Sequence, residues 1–120
     1  MVGDEMKKLV KQFVYDFPKF NDLLEEHIEL NEEILPHVFF GECNEYFKEF
    51  LKKDDKEELK KLFDFFERMA IEGDDYTKEI LSVTILARLG DDKDILNISY
   101  KYMREETRNF SNEIEKFWGR

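Results

Sequence analysis

Very little in this chain could staple, kink or coordinate it. A single cysteine, Cys43, excludes an internal disulfide and any cysteine-rich zinc site, and fits a reducing compartment. Two prolines and five glycines among 120 residues leave no low-complexity linker. The glycines, at positions 3, 41, 73, 90 and 119, are too scattered to form a phosphate-cradling loop. Only two histidines are present, His27 and His37, with no HExxH frame to make them a metal pair. No apolar run approaches the ~20 residues that a membrane-spanning helix needs. The opening Met-Val-Gly-Asp-Glu carries no basic segment leading into an apolar one, so no secretory leader is expected. These absences point to a cytoplasmic chain with no cofactor and no metal.

Basic residues are also in short supply. Against 29 acidic residues stand 19 lysines and arginines, for a formal charge of -10 and an isoelectric point near 4.7. Nucleic acid and anionic membranes are poor partners for such a field, which would instead accelerate encounter with a basic protein. The excess is concentrated: Asp22 to Glu58 holds 13 acidic residues against four lysines. Phe39, Phe40, Tyr46, Phe47 and Phe50 lie in the same span. If some of these rings stay at an edge, carboxylates around an aromatic anchor make a surface suited to a basic partner.

What the chain has in abundance is helical period. Leu59, Leu62, Phe63, Phe66, Met69 and Ala70 recur at spacings of three and four. Tyr76, Ile80, Leu81, Thr84, Ile85 and Leu89 continue the pattern after Gly73-Asp74-Asp75, so the segment from Lys56 to Leu89 reads as a helical pair around which the rest is organised. Upstream, Met6, Leu9, Val10, Phe13, Val14 and Phe17 form one stripe, opened by Asp4 and Glu5 and broken at Pro18. Phe20, Leu23, Leu24, Ile28 and Leu30 form the next. Pro36 biases Leu35 away from helical geometry and starts a helix that carries Phe39, Phe40, Cys43, Tyr46, Phe47, Phe50 and Leu51 on a broad apolar face. Asp54 or Asp55 caps the helix that follows.

Gly90-Asp91-Asp92 repeats the Gly73-Asp74-Asp75 punctuation, with glycine stopping one helix and aspartate capping the next. Beyond it, Ile95, Leu96, Ile98, Tyr102 and Met103 mark a further helix, and Phe110, Ile114, Phe117 and Trp118 a last one. Short β-prone runs at Phe39-Phe40, Val83–Leu86 and Asn97–Tyr100 do not alternate cleanly, leaving at most a local strand. The expected fold is therefore all-α: one domain over residues 1–120, a compact array of five to seven helices, stacked partly as antiparallel hairpins.

No catalytic constellation stands out. Glu25/Glu29 and Glu29/Glu33 are one turn apart but belong to a dense charged run, where carboxylates keep a solvated face. A metal site would have to gather His27 or His37 with carboxylates from elsewhere. Cys43 sits among Glu42, Asn44 and Glu45, and neighbouring negative charge suppresses the thiolate a nucleophile requires. Lys101, Arg104 and Arg108 share a helical side but are interleaved with Glu105 and Glu106, as on a mixed solvated face.

Two stretches carry a resemblance. EEILPHVFFGE, from Glu32 to Glu42, and FDFFERMAIEGDDYTKEILSVTILARLGDD, ending at Asp92, resemble a group of small bacterial proteins of helical, repeat-like fold. That group looks like the acidic immunity proteins encoded beside polymorphic or contact-dependent toxins. The resemblance implies a protein that binds a cognate toxin domain and blocks it without catalysis of its own. The family motif supplies no contact set of its own, and the candidate contact residues in this chain are Glu32, Glu33, His37, Glu42, Asp74, Asp75, Asp91 and Asp92. Two other readings stay open: a helical scaffold or regulatory protein that holds a cellular peptide in a groove, and a metal-dependent hydrolase.

Overall fold

A computed structural model describes residues 4–120, with side chains from Met6 onward. The first apolar stripe forms α1 (Asp4–Asp16), and the side chains of Asp4 and Glu5, expected to open it, lie outside the described residues. Pro18 begins a single 3-10 turn, Pro18–Phe20, that leads directly into α2 (Asn21–Asn31). Leu35 is extended (φ -113°, ψ 96°), as the following proline demands, and Pro36 takes the first position of α3 (Pro36–Lys53). Asp55 rather than Asp54 caps α4 (Lys56–Glu72), accepting from the Glu58 amide.

Asp74 caps α5 by accepting from the Thr77 amide at 2.8 Å. This helix comprises Asp75–Glu79, a π-helical segment Ile80–Leu86 and a last turn Ala87–Leu89. Asp92 caps α6 (Lys93–Tyr100), and α7 (Glu105–Phe117) completes the chain. Seven helices result, with no strand among the described residues; all three β-prone runs are helical or lie at a helix end. Two-residue links at Asp54-Asp55 and Gly73-Asp74 reverse the chain and stack consecutive helices.

Nine of the twelve phenylalanines are buried, and they set the core. Phe13 is fully buried at its centre, with Phe17 from the link after α1 and rings from the 3-10 turn, α3 and α4 around it. The hub of the packing is α3, which touches α1, α2, α4, α5 and α6. The Lys56–Leu89 pair is thus half of the organising centre, and α3 supplies the other half.

One expectation changes, and the two turn glycines work in an unexpected way. On α2 the buried position is His27, while Ile28 is partly exposed and Leu30 83% exposed. Neither turn glycine adopts the left-handed conformation that commonly ends helices: φ is -70° at Gly73 and -76° at Gly90. Gly73 leaves no room for a side chain, and at Gly90 one would have to displace the Glu115 carboxylate. A Cβ at Gly73 would overlap the Met69 carbonyl and Thr77, and one at Gly90 would overlap the Glu115 carboxylate. The left-handed helix ends are instead Glu32 (φ 64°), Asp54 (φ 52°) and, after α7, Gly119 (φ 72°).

Glu32 thus holds a conformation that costs an L-residue roughly 1–2 kcal/mol. Glu32→Gly removes that strain but gives back part of it as unfolded-chain entropy. A net stabilisation of about 0.5–1 kcal/mol is expected in urea unfolding. A loss of stability would show that the Glu32 side chain makes a compensating contact.

Candidate partner-binding surface

The acidic span folds onto two adjacent helices. Phe20, at the start of α2, packs edge-on against Tyr46, Phe47 and Phe50 of α3. His27 joins the same helices further along. Its Nε2 accepts from the Leu35 amide at 2.9 Å, which places the ring proton on Nδ1, 3.4 Å from Glu42 Oε1. Asn31 Nδ2 completes the arrangement by donating to the His27 carbonyl at 2.9 Å. Fully engaged in fixing the α2–α3 link, His27 has no nitrogen left for a metal.

On α3, Glu42, Glu45, Tyr46 and Glu49 follow helical spacing and share one face. Phe39, Phe40 and Phe47 are sealed in the core, but Tyr46 is 48% exposed. Asp22, Glu25, Glu26 and Glu29 are exposed on α2 next door. Lys48 and Lys52 pair with Glu45 and Glu49 at 3.6 and 3.8 Å. Such solvent-facing pairs hold weakly and can be exchanged for a partner's cations.

The eight predicted residues do not form one patch. Glu32 and Glu33 are exposed at the end of α2, and Glu42 is half-buried beside His27, so these three belong to the α2–α3 face. His37 points elsewhere. Its Nδ1 lies 2.5 Å from Thr84 Oγ1 and its ring meets Tyr76 edge-on, locking the start of α3 to α5. Asp74 and Asp92 cap helices, and the amide and hydroxyl of Thr77 hold the Asp74 carboxyl below its usual range. Asp91 receives the Arg120 guanidinium, which also donates to Glu115 and the Ala87 carbonyl. Asp75 is exposed in the first turn of α5.

Two buried groups escaped the sequence reading. Asn44, 1% exposed, donates from Nδ2 to the Thr84 carbonyl at 2.9 Å and to that of Ile85 at 3.5 Å. Those carbonyls lie in the π-helical stretch, where amides bond five residues back, as Ala87 does to Ser82. Asn44 thus fills a gap in the helical ladder, and its Oδ1 has no hydrogen-bond partner. Glu67, on α4, caps α7 from outside by accepting from the Glu106 and Thr107 amides and the Thr107 hydroxyl. The only local hint was a glutamate four residues after Phe63, inside an apolar stripe.

Cys43 is fully buried, and burial, reinforced by Glu42, pushes its thiol far above the ordinary range. It packs rather than reacts. Among the described residues, no three His, Cys, Asp or Glu side chains gather in a way that could hold a metal ion. No described helix is long and apolar enough to cross a membrane.

Fold and surface together define an all-helical protein with an acidic, one-ring face on α2 and α3. Over residues 10–119 the chain matches the family described as Domain of unknown function (DUF7674), and it belongs to that family. No curated protein and no solved structure matches it.

Proposed function

We propose that this chain is a non-catalytic binding protein that takes a basic protein domain on its α2–α3 face, and that in the cell it serves as the cytoplasmic immunity partner of a toxin. The observation that supports the reading is Tyr46, half exposed with Glu42, Glu45 and Glu49 on its own helical face and the α2 carboxylates alongside. The ring supplies apolar burial at the centre, and the carboxylates supply encounter rate and register. A nuclease is a natural target, because a site that attracts phosphate presents the positive field this face complements. Blocking would be steric, with no bond made or broken by the chain.

The test takes the proteins encoded beside this gene and asks whether one that carries a basic terminal domain binds this chain. A one-to-one complex is expected, with association slowing as sodium chloride rises, since screening shortens the reach of the field to about 10 Å at 0.1 M. Tyr46→Ala is expected to weaken binding by about tenfold or more, in the range of a central aromatic anchor. Asp92→Ala should lower stability by about 1 kcal/mol and leave affinity unchanged, because Asp92 caps α6. Failure to bind any neighbouring basic domain, or an affinity indifferent to Tyr46, would remove the proposal.

A further inference from the structure

The last helix is turned away from the orientation its own sequence favours. Its apolar residues, Phe110, Ile114 and Phe117, recur at i, i+4 and i+7, yet the fully buried positions are Thr107 and Ser111, with Glu115 8% exposed. Two polar fastenings explain the rotation. Glu67 grips the amides at the start of α7, and Glu115 meets Arg120 at 2.7 Å near its end. With Thr107 and Ser111 facing inward, α7 packs on α4 and α5 through small side chains. The apolar stripe is carried round to the flank.

There it forms one wall of a groove of about 380 Å³, whose other wall is the outer side of α5. Phe110 and Ile114 are half-buried at its floor, while Phe117 is 79% exposed at its mouth. Phe117 stands perpendicular to Trp118, itself 57% exposed, with ring centroids 5.6 Å apart. Asp75 and Glu79 on α5 and Glu113 on α7 edge the groove, against the single cation Lys78. An apolar strip between carboxylates is the complement of a helix with an apolar face and basic flanks. A second copy of this chain is a poor occupant, because each copy carries a charge of -10 and would set its own acidic rim against the other.

We infer that the α5–α7 groove is a second docking site, distinct from the α2–α3 face, and that it takes an amphipathic basic helix from another protein, with Phe117 as the principal anchor. Apolar burial supplies most of the holding energy here, so this site is less salt-sensitive than the α2–α3 face. The site is independent of the toxin reading.

The chain carries its own reporter, since Trp118 is its sole tryptophan. The probe is a synthetic 18-residue helix with leucines at i, i+3, i+4 and i+7 and lysine or arginine on both flanks. Two relatives accompany it: one with glutamate in place of every basic residue, and one with serine in place of every leucine. The basic peptide is expected to blue-shift Trp118 emission saturably. Both relatives should bind at least tenfold more weakly, in line with an interface that needs its anchor and its charge together. Phe117→Ala should lower affinity for the basic peptide by the same order, with the circular dichroism spectrum unchanged because that ring is exposed. Tyr46→Ala should leave the titration as it is, so failure here is separable from failure of the toxin reading. Equal binding of the acidic and basic peptides, or an affinity indifferent to Phe117, would overturn the assignment. So would sedimentation as a dimer that Phe117→Ala dissociates, which would give the groove to a second copy.

Discussion

Phe13→Ala is expected to cost about 4 kcal/mol of folding stability, in the middle of the range for truncating a buried phenylalanine. The size of the effect follows from position. Phe13 is fully buried, and its ring lies within 6.4 Å, centroid to centroid, of six other phenylalanines: Phe17, Phe20, Phe39, Phe40, Phe47 and Phe65. Most of these contacts are edge-to-face, the geometry in which the positive edge of one ring meets the negative face of another. Alanine would remove those contacts and leave a cavity bounded by rigid rings from the 3-10 turn, α3, α4 and the Phe17 link, which cannot all move inward together. Since a domain of this size is stable by only about 5–15 kcal/mol, a large share of the total would go. Phe13→Leu should cost roughly half as much, because most of the volume is kept. Urea unfolding at pH 7 measures both, and a loss below 1 kcal/mol for the alanine variant would show that the ring cluster repacks.

Where one rule governed a stretch, the sequence was a good guide. Val10, Phe13, Val14 and Phe17 are buried as their spacing required, and Asp55, Asp74 and Asp92 cap the helices they precede. Local chemistry decides such positions, because a cap or an apolar stripe works in the same way in any surroundings. The misreadings occurred where a partner remote in sequence intervened. His27 displaces Ile28 from the inner face of α2 because the Leu35 amide, eight residues on, needs an acceptor. Gly73 and Gly90 end helices as expected, but neither is left-handed: a Cβ would meet Met69 and Thr77 at the first and Glu115, 25 residues on, at the second.

The candidate surface was legible in part for the same reason. Concentrated charge between Asp22 and Glu58 is visible in composition, and α2 and α3 do place it on neighbouring helices. Which ring would remain outside was not visible, because Tyr46 sits three residues from Cys43 and one from Phe47 in an unbroken apolar-looking face. Its exposure depends on how far α2 covers α3. The Gly-Asp-Asp turns drew attention as a repeated motif, yet Asp74, Asp91 and Asp92 spend their oxygens within the chain. For α7, periodicity identified the right stripe and the wrong direction, since the fastening that turns it is a glutamate about 40 residues away on α4.

That glutamate gives the second large effect. Glu67 is 7% exposed, and three donors converge on it: the Thr107 amide and hydroxyl at 2.8 Å on Oε1, and the Glu106 amide at 3.1 Å on Oε2. Burial alone would raise its carboxyl, but the Thr107 and Glu106 donors, helped by Arg104, outweigh it and hold the group below its ordinary range. In Glu67→Gln the amide nitrogen must face either Thr107 or Glu106, setting donor against donor, and the charge at the α7 N-terminus is lost. A cost of about 3 kcal/mol at pH 7 is expected, since hydrogen bonds to charged groups contribute roughly 1.5–3 kcal/mol each and do not add fully. A folded pKa below the unfolded one means the carboxylate's contribution is complete above the unfolded value, ~4.3, and is lost as pH falls through the folded value. Wild type and Glu67→Gln should therefore differ most near neutrality and converge as pH falls through the folded value in parallel urea titrations. A difference that persists unchanged into acid would assign the cost to shape rather than to charge, and would undo the account of how α7 is held.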